Sequence, residues 1–230
     1  MMRTLIFCAA IVLAKCISEK HTEVYSKLDQ VVYIYQNNVK KDKDLEVCQP
    51  NAVCGVVNQR FWYPPYVQRY CRCSETPCPF SWSENDNRSI PLDNRSQLKT
   101  CDDTRNLQRC EANDVGLTVS EVMDPVSGQY FKSAKVLCFC DWPAYWKLDR
   151  REANATHTFN EYICSRLTRC KSGEFCGHMR ADTYSTYYQC SCPRDHLCIK
   201  TDDVRRNVTE PLYNGPMLRA QCTPYHPNSV

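Results

Sequence analysis

Cysteine spacing constrains this chain more than any other feature, and its most informative detail is a gap. Cys48, Cys54, Cys71, Cys73, Cys78 and Cys101 form one array, and Cys170, Cys176, Cys190, Cys192, Cys198 and Cys222 form another. Each array has five residues between its first two cysteines, then Cys-x-Cys, then a single cysteine, then a closing one after 22 or 23 residues. Cys110, Cys138, Cys140 and Cys164 lie between them and repeat the skeleton without its second and fifth members. Losing one half of a disulfide strands the other as a free thiol, so bonded partners tend to disappear together. The joint gap therefore predicts the bridges Cys54–Cys78 and Cys176–Cys198. The four cysteines common to all three segments stay ambiguous. In the first they pair as Cys48–Cys71 with Cys73–Cys101, or as Cys48–Cys73 with Cys71–Cys101.

Disulfides are the expected state because the chain begins like a secreted one. A basic start at Arg3, an apolar run from Leu5 to Ala14 and small residues beyond it read as a signal peptide over residues 1–18. Its removal takes away Cys8 and Cys16 and leaves 16 of the 18 cysteines, an even number in an oxidising compartment. No later apolar run reaches the ~20 residues of a membrane-spanning helix, so a soluble, extracellular product without a membrane span is expected. A metal centre is not, since Cys-x-x-Cys pairs are absent and no Cys/His set has zinc-ligand spacing.

The repeats extend beyond cysteine and define modules at 48–101, 110–164 and 170–222. Leu45, Leu107 and Leu167 each precede the first cysteine by three residues. Pro91-Leu92-Asp93-Asn94 recurs as Pro211-Leu212-Tyr213-Asn214. The sequons Asn87-Arg-Ser, Asn154-Ala-Thr and Asn207-Val-Thr lie 14, 14 and 15 residues after the second cysteine of their Cys-x-Cys pairs. They are expected to mark one exposed, glycosylated loop three times, with Asn94 as a fourth acceptor in the first module. Strand-like runs over 66–72, 130–139 and 184–191, with Asp124–Gly128 as a turn, favour short hairpins. The fold class expected is small, disulfide-rich and mainly β, with three tandem hairpin-based modules. Residues 19–47 lack cysteine and read as an N-terminal arm or propeptide, most simply a loosely attached arm.

Each extra bridge predicted in the flanking modules closes a loop worth roughly 3–4 kcal/mol in a chain-entropy account, and the middle module lacks its counterpart. The middle module is therefore expected to be the softest of the three. Cysteines near Val115 and Tyr145 are the expected places to restore its bridge.

Chemistry is sparse. No His-Glu-x-x-His, Gly-x-Ser-x-Gly or phosphate-cradling loop is present, so a non-enzyme needing no cofactor is expected. His178 and His196 read as isolated surface histidines. Without Arg3 and Lys15 the chain has 27 basic and 26 acidic residues. Six basic and four acidic side chains fall in 48–101, seven and ten in 102–164, nine and six in 165–230. Basic ends around an acidic middle suit an extracellular protein partner, such as a channel, a receptor or a growth factor. Nucleic acid would call for a concentrated basic stripe. The residues most like a contact surface are Arg60, Phe61, Trp62, Tyr63, Tyr66 and Arg69, since Trp, Tyr and Arg dominate binding hot spots.

Three stretches carry a family resemblance: Cys164-Ser-Arg-Leu167-Thr-Arg-Cys170, Cys190-Ser-Cys192-Pro193-Arg-Asp-His-Leu-Cys198 and Cys71-Arg-Cys73-Ser-Glu-Thr-Pro-Cys78-Pro. With a cysteine-poor middle module, the array over about 45–222 resembles scoloptoxin family 11 of centipede venoms. That family shares its framework with the Argos (giant-lens) family of secreted insect inhibitors of epidermal-growth-factor receptor signalling. The first resemblance implies a venom toxin, with ion-channel modulation proposed for some members. The second implies a protein that clamps a growth factor between modules that resemble small three-finger domains.

Overall fold

The computed structural model describes residues 22–25, 31–36, 38–61 and 63–225, the first of these as backbone only. The signal-peptide reading of residues 1–18 lies outside them. Two strands, β1 (Thr22–Tyr25) and β2 (Val32–Tyr35), precede the modules. The first module holds β3 (Val53–Asn58), β4 (Tyr66–Arg69), β5 (Ser89–Pro91) and β6 (Ser96–Thr100). The second holds β7 (Val115–Met123), β8 (Tyr130–Val136), β9 (Ala144–Ala153) and β10 (His157–Arg166). The third holds β11 (Thr168–Arg169), β12 (Phe175–Arg180), β13 (Thr186–Tyr188), β14 (Cys190–Ser191), β15 (His196–Glu210) and β16 (Tyr213–Pro224).

One connectivity serves all three modules. Each contains four antiparallel strands made from two hairpins, ordered β4-β3-β6-β5, β8-β7-β10-β9 and β13-β12-β16-β15, and in the first β1 and β2 extend the sheet to six strands beyond β4. The first strand of one hairpin pairs with the last strand of the other, so both central strands gain neighbours on two sides. A smaller signature repeats as well. The residue before each first cysteine pairs in parallel with the residue inside Cys-x-Cys: Val47 with Arg72, Arg109 with Phe139, and Arg169 with Ser191.

The bridges follow this plan. The first cysteine of each Cys-x-Cys bonds backwards and the second forwards: Cys48–Cys71 and Cys73–Cys101, Cys110–Cys138 and Cys140–Cys164, Cys170–Cys190 and Cys192–Cys222. The flanking modules add Cys54–Cys78 and Cys176–Cys198. Sulfurs of neighbouring bridges crowd together, those of Cys54, Cys73 and Cys78 lying within 4.8 Å of one another. In the third module this packing, with Ala220, is itself a small core.

The position of the missing bridge is defined by backbone register. Cys54 and Cys176 sit at β-bulges, where pairing jumps from Val53 to Gly55 and from Phe175 to Gly177. The equivalent jump in the middle module, from Val115 to Leu117, falls on Gly116. At the other end, Cys198 faces the closing Cys222, and Trp146 faces the closing Cys164. The two positions are therefore Gly116 and Trp146, one residue on from Val115 and Tyr145. They are not vacant. A Cβ on Gly116 would lie 2.7 Å from Cζ3 of Trp146 and 2.8 Å from Sγ of Cys110. Glycine and indole together fill the space of a disulfide.

The arm is tied down over part of its length. β2 pairs in parallel with β4, against the loosely attached form expected of residues 19–47. Val32 is buried, and Val31 packs on Val57 and Val67. An unbroken run of β-branched and aromatic residues, Val31 to Tyr35, favours a strand here, and the exposed edge of β4 gives it a partner. Gln36 extends the attachment to β8 of the middle module, its Nε2 donating to the Lys132 carbonyl at 2.8 Å.

One apolar core joins all three modules. Val53, Val56, Ile90, Leu92 and Leu98 from the first meet Leu117, Val119, Val136, Trp146 and Tyr162 from the second, and Tyr187, Leu212 and Met217 from the third. The repeated Pro-Leu explains part of this, because Leu92 and Leu212 close equivalent hairpins whose turns bury them. Among the described residues no helix is long and apolar enough to cross a membrane.

Candidate binding site

Two surfaces merit attention, and the first comes from the aromatic run of the first module. The β3–β4 connection carries Phe61 and Tyr63 outward, 54% and 68% exposed. Arg95 lies over the Phe61 ring at 3.4 Å, and Arg60 lies 5.5 Å from the Tyr63 ring. Such cation–π contacts hold large rings in place at small further entropic cost. Trp62 lies outside the described residues.

Burial takes Tyr66 and Arg69 out of this surface. Arg69 is 1% exposed and forks onto Asp42, with Nε and Nη2 at 3.0 and 2.9 Å from its two oxygens. Tyr66 belongs to the seam between the first and third modules. Its hydroxyl accepts from Nη2 of Arg180 at 2.6 Å, and Arg180 also grips Asp182 and covers the Tyr213 ring at 4.1 Å. A buried guanidinium needs this much partnership. Burial pushes the Asp182 carboxyl up, but hydrogen bonds and charge from Arg180 hold it below the usual carboxylate range. Phe61 reaches across the same seam to an edge-on contact with Tyr184, their ring centroids 6.0 Å apart.

The second surface is a cavity of about 320 Å³ where the three modules meet. The first module supplies the β5–β6 turn, Pro91 to Asn94; the second supplies Trp142, Tyr145 and Trp146; the third supplies Thr186, Tyr187, Tyr188 and Glu210. Nε1 of Trp146 donates to the Pro91 carbonyl at 3.2 Å, and the Thr186 amide donates to Oδ1 of Asn94 at 2.8 Å. Burial raises the Glu210 carboxyl above its ordinary value, only partly offset by His178, whose Nδ1 lies 2.9 Å from it. His178 thus has an acidic partner that sequence reading missed, because 32 residues separate them. His196 is half-buried, and its Nε2 lies 2.9 Å from Oγ of Ser172.

The sequons are exposed but do not share one loop. Asn87 lies in the loop before β5, Asn154 at the β9–β10 turn and Asn207 within β15. Strand length differs between modules while spacing along the chain does not, so equal offsets reach different places. The hairpin-turn counterpart of Asn154 is Asn94.

No protein-family profile matches the chain. It is similar to centipede venom proteins of scoloptoxin family 11. U-scoloptoxin(11)-Ssd2a of Scolopendra dehaani is 31% identical over 140 residues, 56% of this chain and 60% of that one. The match thus spans less than two thirds of that relative's length. Kappa-scoloptoxin(11)-Ss1a, from the same species, is 25% identical over 181 residues, 73% of this chain and 81% of that one. Among solved structures, unliganded Argos superposes with a TM-score of 0.57 at 23% identity, over 85% of this chain and 99% of its own. That likeness is one of fold.

Proposed function

We propose, from the likeness to family 11 scoloptoxins, that this chain is a secreted, non-enzymatic venom toxin that binds an extracellular protein. The observation that carries the reading is the exposed ridge of Phe61 and Tyr63, braced by Arg95 and Arg60 on a disulfide-stapled frame. Rigid aromatic side chains of this kind supply much contact area while losing little freedom on binding. An ion channel is the target class that the toxin resemblance brings with it. The frame suits extracellular conditions, since eight bridges would not persist in a reducing cytosol.

The test is electrophysiology on a panel of voltage-gated channels with oxidised protein and a Phe61→Ala, Tyr63→Ala variant. The expected result is inhibition of at least one channel, weakened about tenfold or more by the double variant, as removal of a hot spot would do. Inhibition equal for both proteins would remove the ridge from the reading.

The fold likeness to Argos favours a second reading, a trap that sequesters an EGF-like growth factor. Surface plasmon resonance against EGF-like domains separates the two. Saturable binding there, with every channel unaffected, would replace the toxin reading.

A further inference from the structure

The wall of the three-module cavity carries more acid than the seams around it use. Asp93, in the β5–β6 turn, accepts from the Arg95 amide through Oδ1 at 2.7 Å, while its Oδ2 is buried without a partner. Glu210 enters from the opposite hairpin and is 7% exposed. The side chains that could offset them are already engaged, Arg180 with Asp182 and Tyr66, and His178 with Glu210. Burial raises both carboxyls, and the charge of Asp93 further raises Glu210. A buried acid whose ionisation a neighbouring acid opposes is relieved by a proton or by a cation placed with it.

The rest of the wall is aromatic. Tyr145, Tyr187 and Tyr188 line the cavity, and Trp142 stands at it 68% exposed. Ring faces attract a cation and accept an alkyl chain equally well. A volume of about 320 Å³ is at the small end of ligand sites, room for a short chain and its head group.

We propose that this cavity binds an alkylammonium group, with its charge at Asp93 and Glu210 and its chain against Trp142 and Tyr188. The group is borne either by a free organic amine or by a lysine side chain of a protein partner. The proposal is independent of whether the ridge at Phe61 binds a channel.

The test titrates the intact, oxidised protein with n-butylammonium chloride while following the tryptophan indole N–H signals by NMR. Saturable shifts of Trp142 and Trp146 are expected. 1-Pentanol, of similar shape without charge, should shift neither. Asp93→Asn should weaken binding by about tenfold or more, the scale of a lost charge-assisted hydrogen bond. Trp142→Ala should weaken it too, and as an exposed residue it keeps the test open if Asp93→Asn does not fold. A blocked lysine, Nα-acetyl-lysine methylamide, separates the sources. Binding of both ammonium probes assigns the site to a partner's lysine, and binding of butylammonium alone assigns it to a free amine. No saturable shift with either probe, or equal shifts with pentanol, would overturn the proposal.

Discussion

Gly116 has no side chain where Cys54 and Cys176 carry a sulfur, and the Trp146 ring uses the room. The exchange turns a bond inside one module into a contact between two, because the same indole donates to Pro91 of the first module. Gly116→Ala should cost about 1–3 kcal/mol through overpacking, since two of the atoms its Cβ would meet are sulfurs fixed in a bridge. Trp146→Ala should cost about 3–5 kcal/mol, as loss of a buried aromatic does. Both are read from urea unfolding midpoints, and an unchanged midpoint for Trp146→Ala would remove the indole from the core. The acids behave differently. Glu210 has a raised carboxyl, so the folded protein holds that proton more tightly than the unfolded chain. By linkage its contribution is complete below the ordinary glutamate value and is lost as pH rises through the folded one. Glu210→Gln should therefore flatten the fall in stability just above the ordinary carboxylate range. A fall as steep as in the native protein would place its origin elsewhere.

Strands explain how much of this was legible in the sequence. The three hairpin runs and the Asp124–Gly128 turn follow from β-branched and aromatic residues and from turn chemistry. Those are local signals. Gly128 has φ +68°, and the Asp124 side chain accepts from the Val126 amide and the Ser127 hydroxyl to close the turn. What stayed hidden depends on residues far apart in the chain: Gly116 under Trp146, Glu210 beside His178, Tyr66 against Arg180. The attachment of β2 was hidden for a related reason, since a four-residue strand gives no sign of which edge it joins. The expectation that the middle module is the softest rests on the cysteine gap alone, and distant packing weighs against softness spread evenly through it. Leu117 in β7 and Tyr162 in β10 are buried centrally, whereas β9 beyond Trp146 is exposed and hydrogen-bonded along one side only. Within the middle module, trypsin under native conditions should cut first at Arg150 or Arg151. First cleavage at Lys132 or Lys135, which lie in β8 beside the core strand β7, would show the whole module to be soft.

At the scale of the molecule, three copies of one sheet are arranged about the module that lost a staple. The seams are chemically distinct: a strand bridge and an indole between the first and second modules, a buried arginine network between the first and third, and Arg151 on Thr209 between the second and third. Together with the common apolar cluster they argue for one cooperative unit in place of three domains on a string. The cavity and the aromatic ridge then owe their geometry to inter-module packing, and a change at a seam should be felt at both. Native-state hydrogen exchange in rising denaturant tests this most directly, on the central pairs β3–β6, β7–β10 and β12–β16. If the three modules share one core, their slowest amides should converge on a single opening free energy. A separate plateau for β7–β10, lower by roughly the 3–4 kcal/mol of one absent bridge, would contradict it.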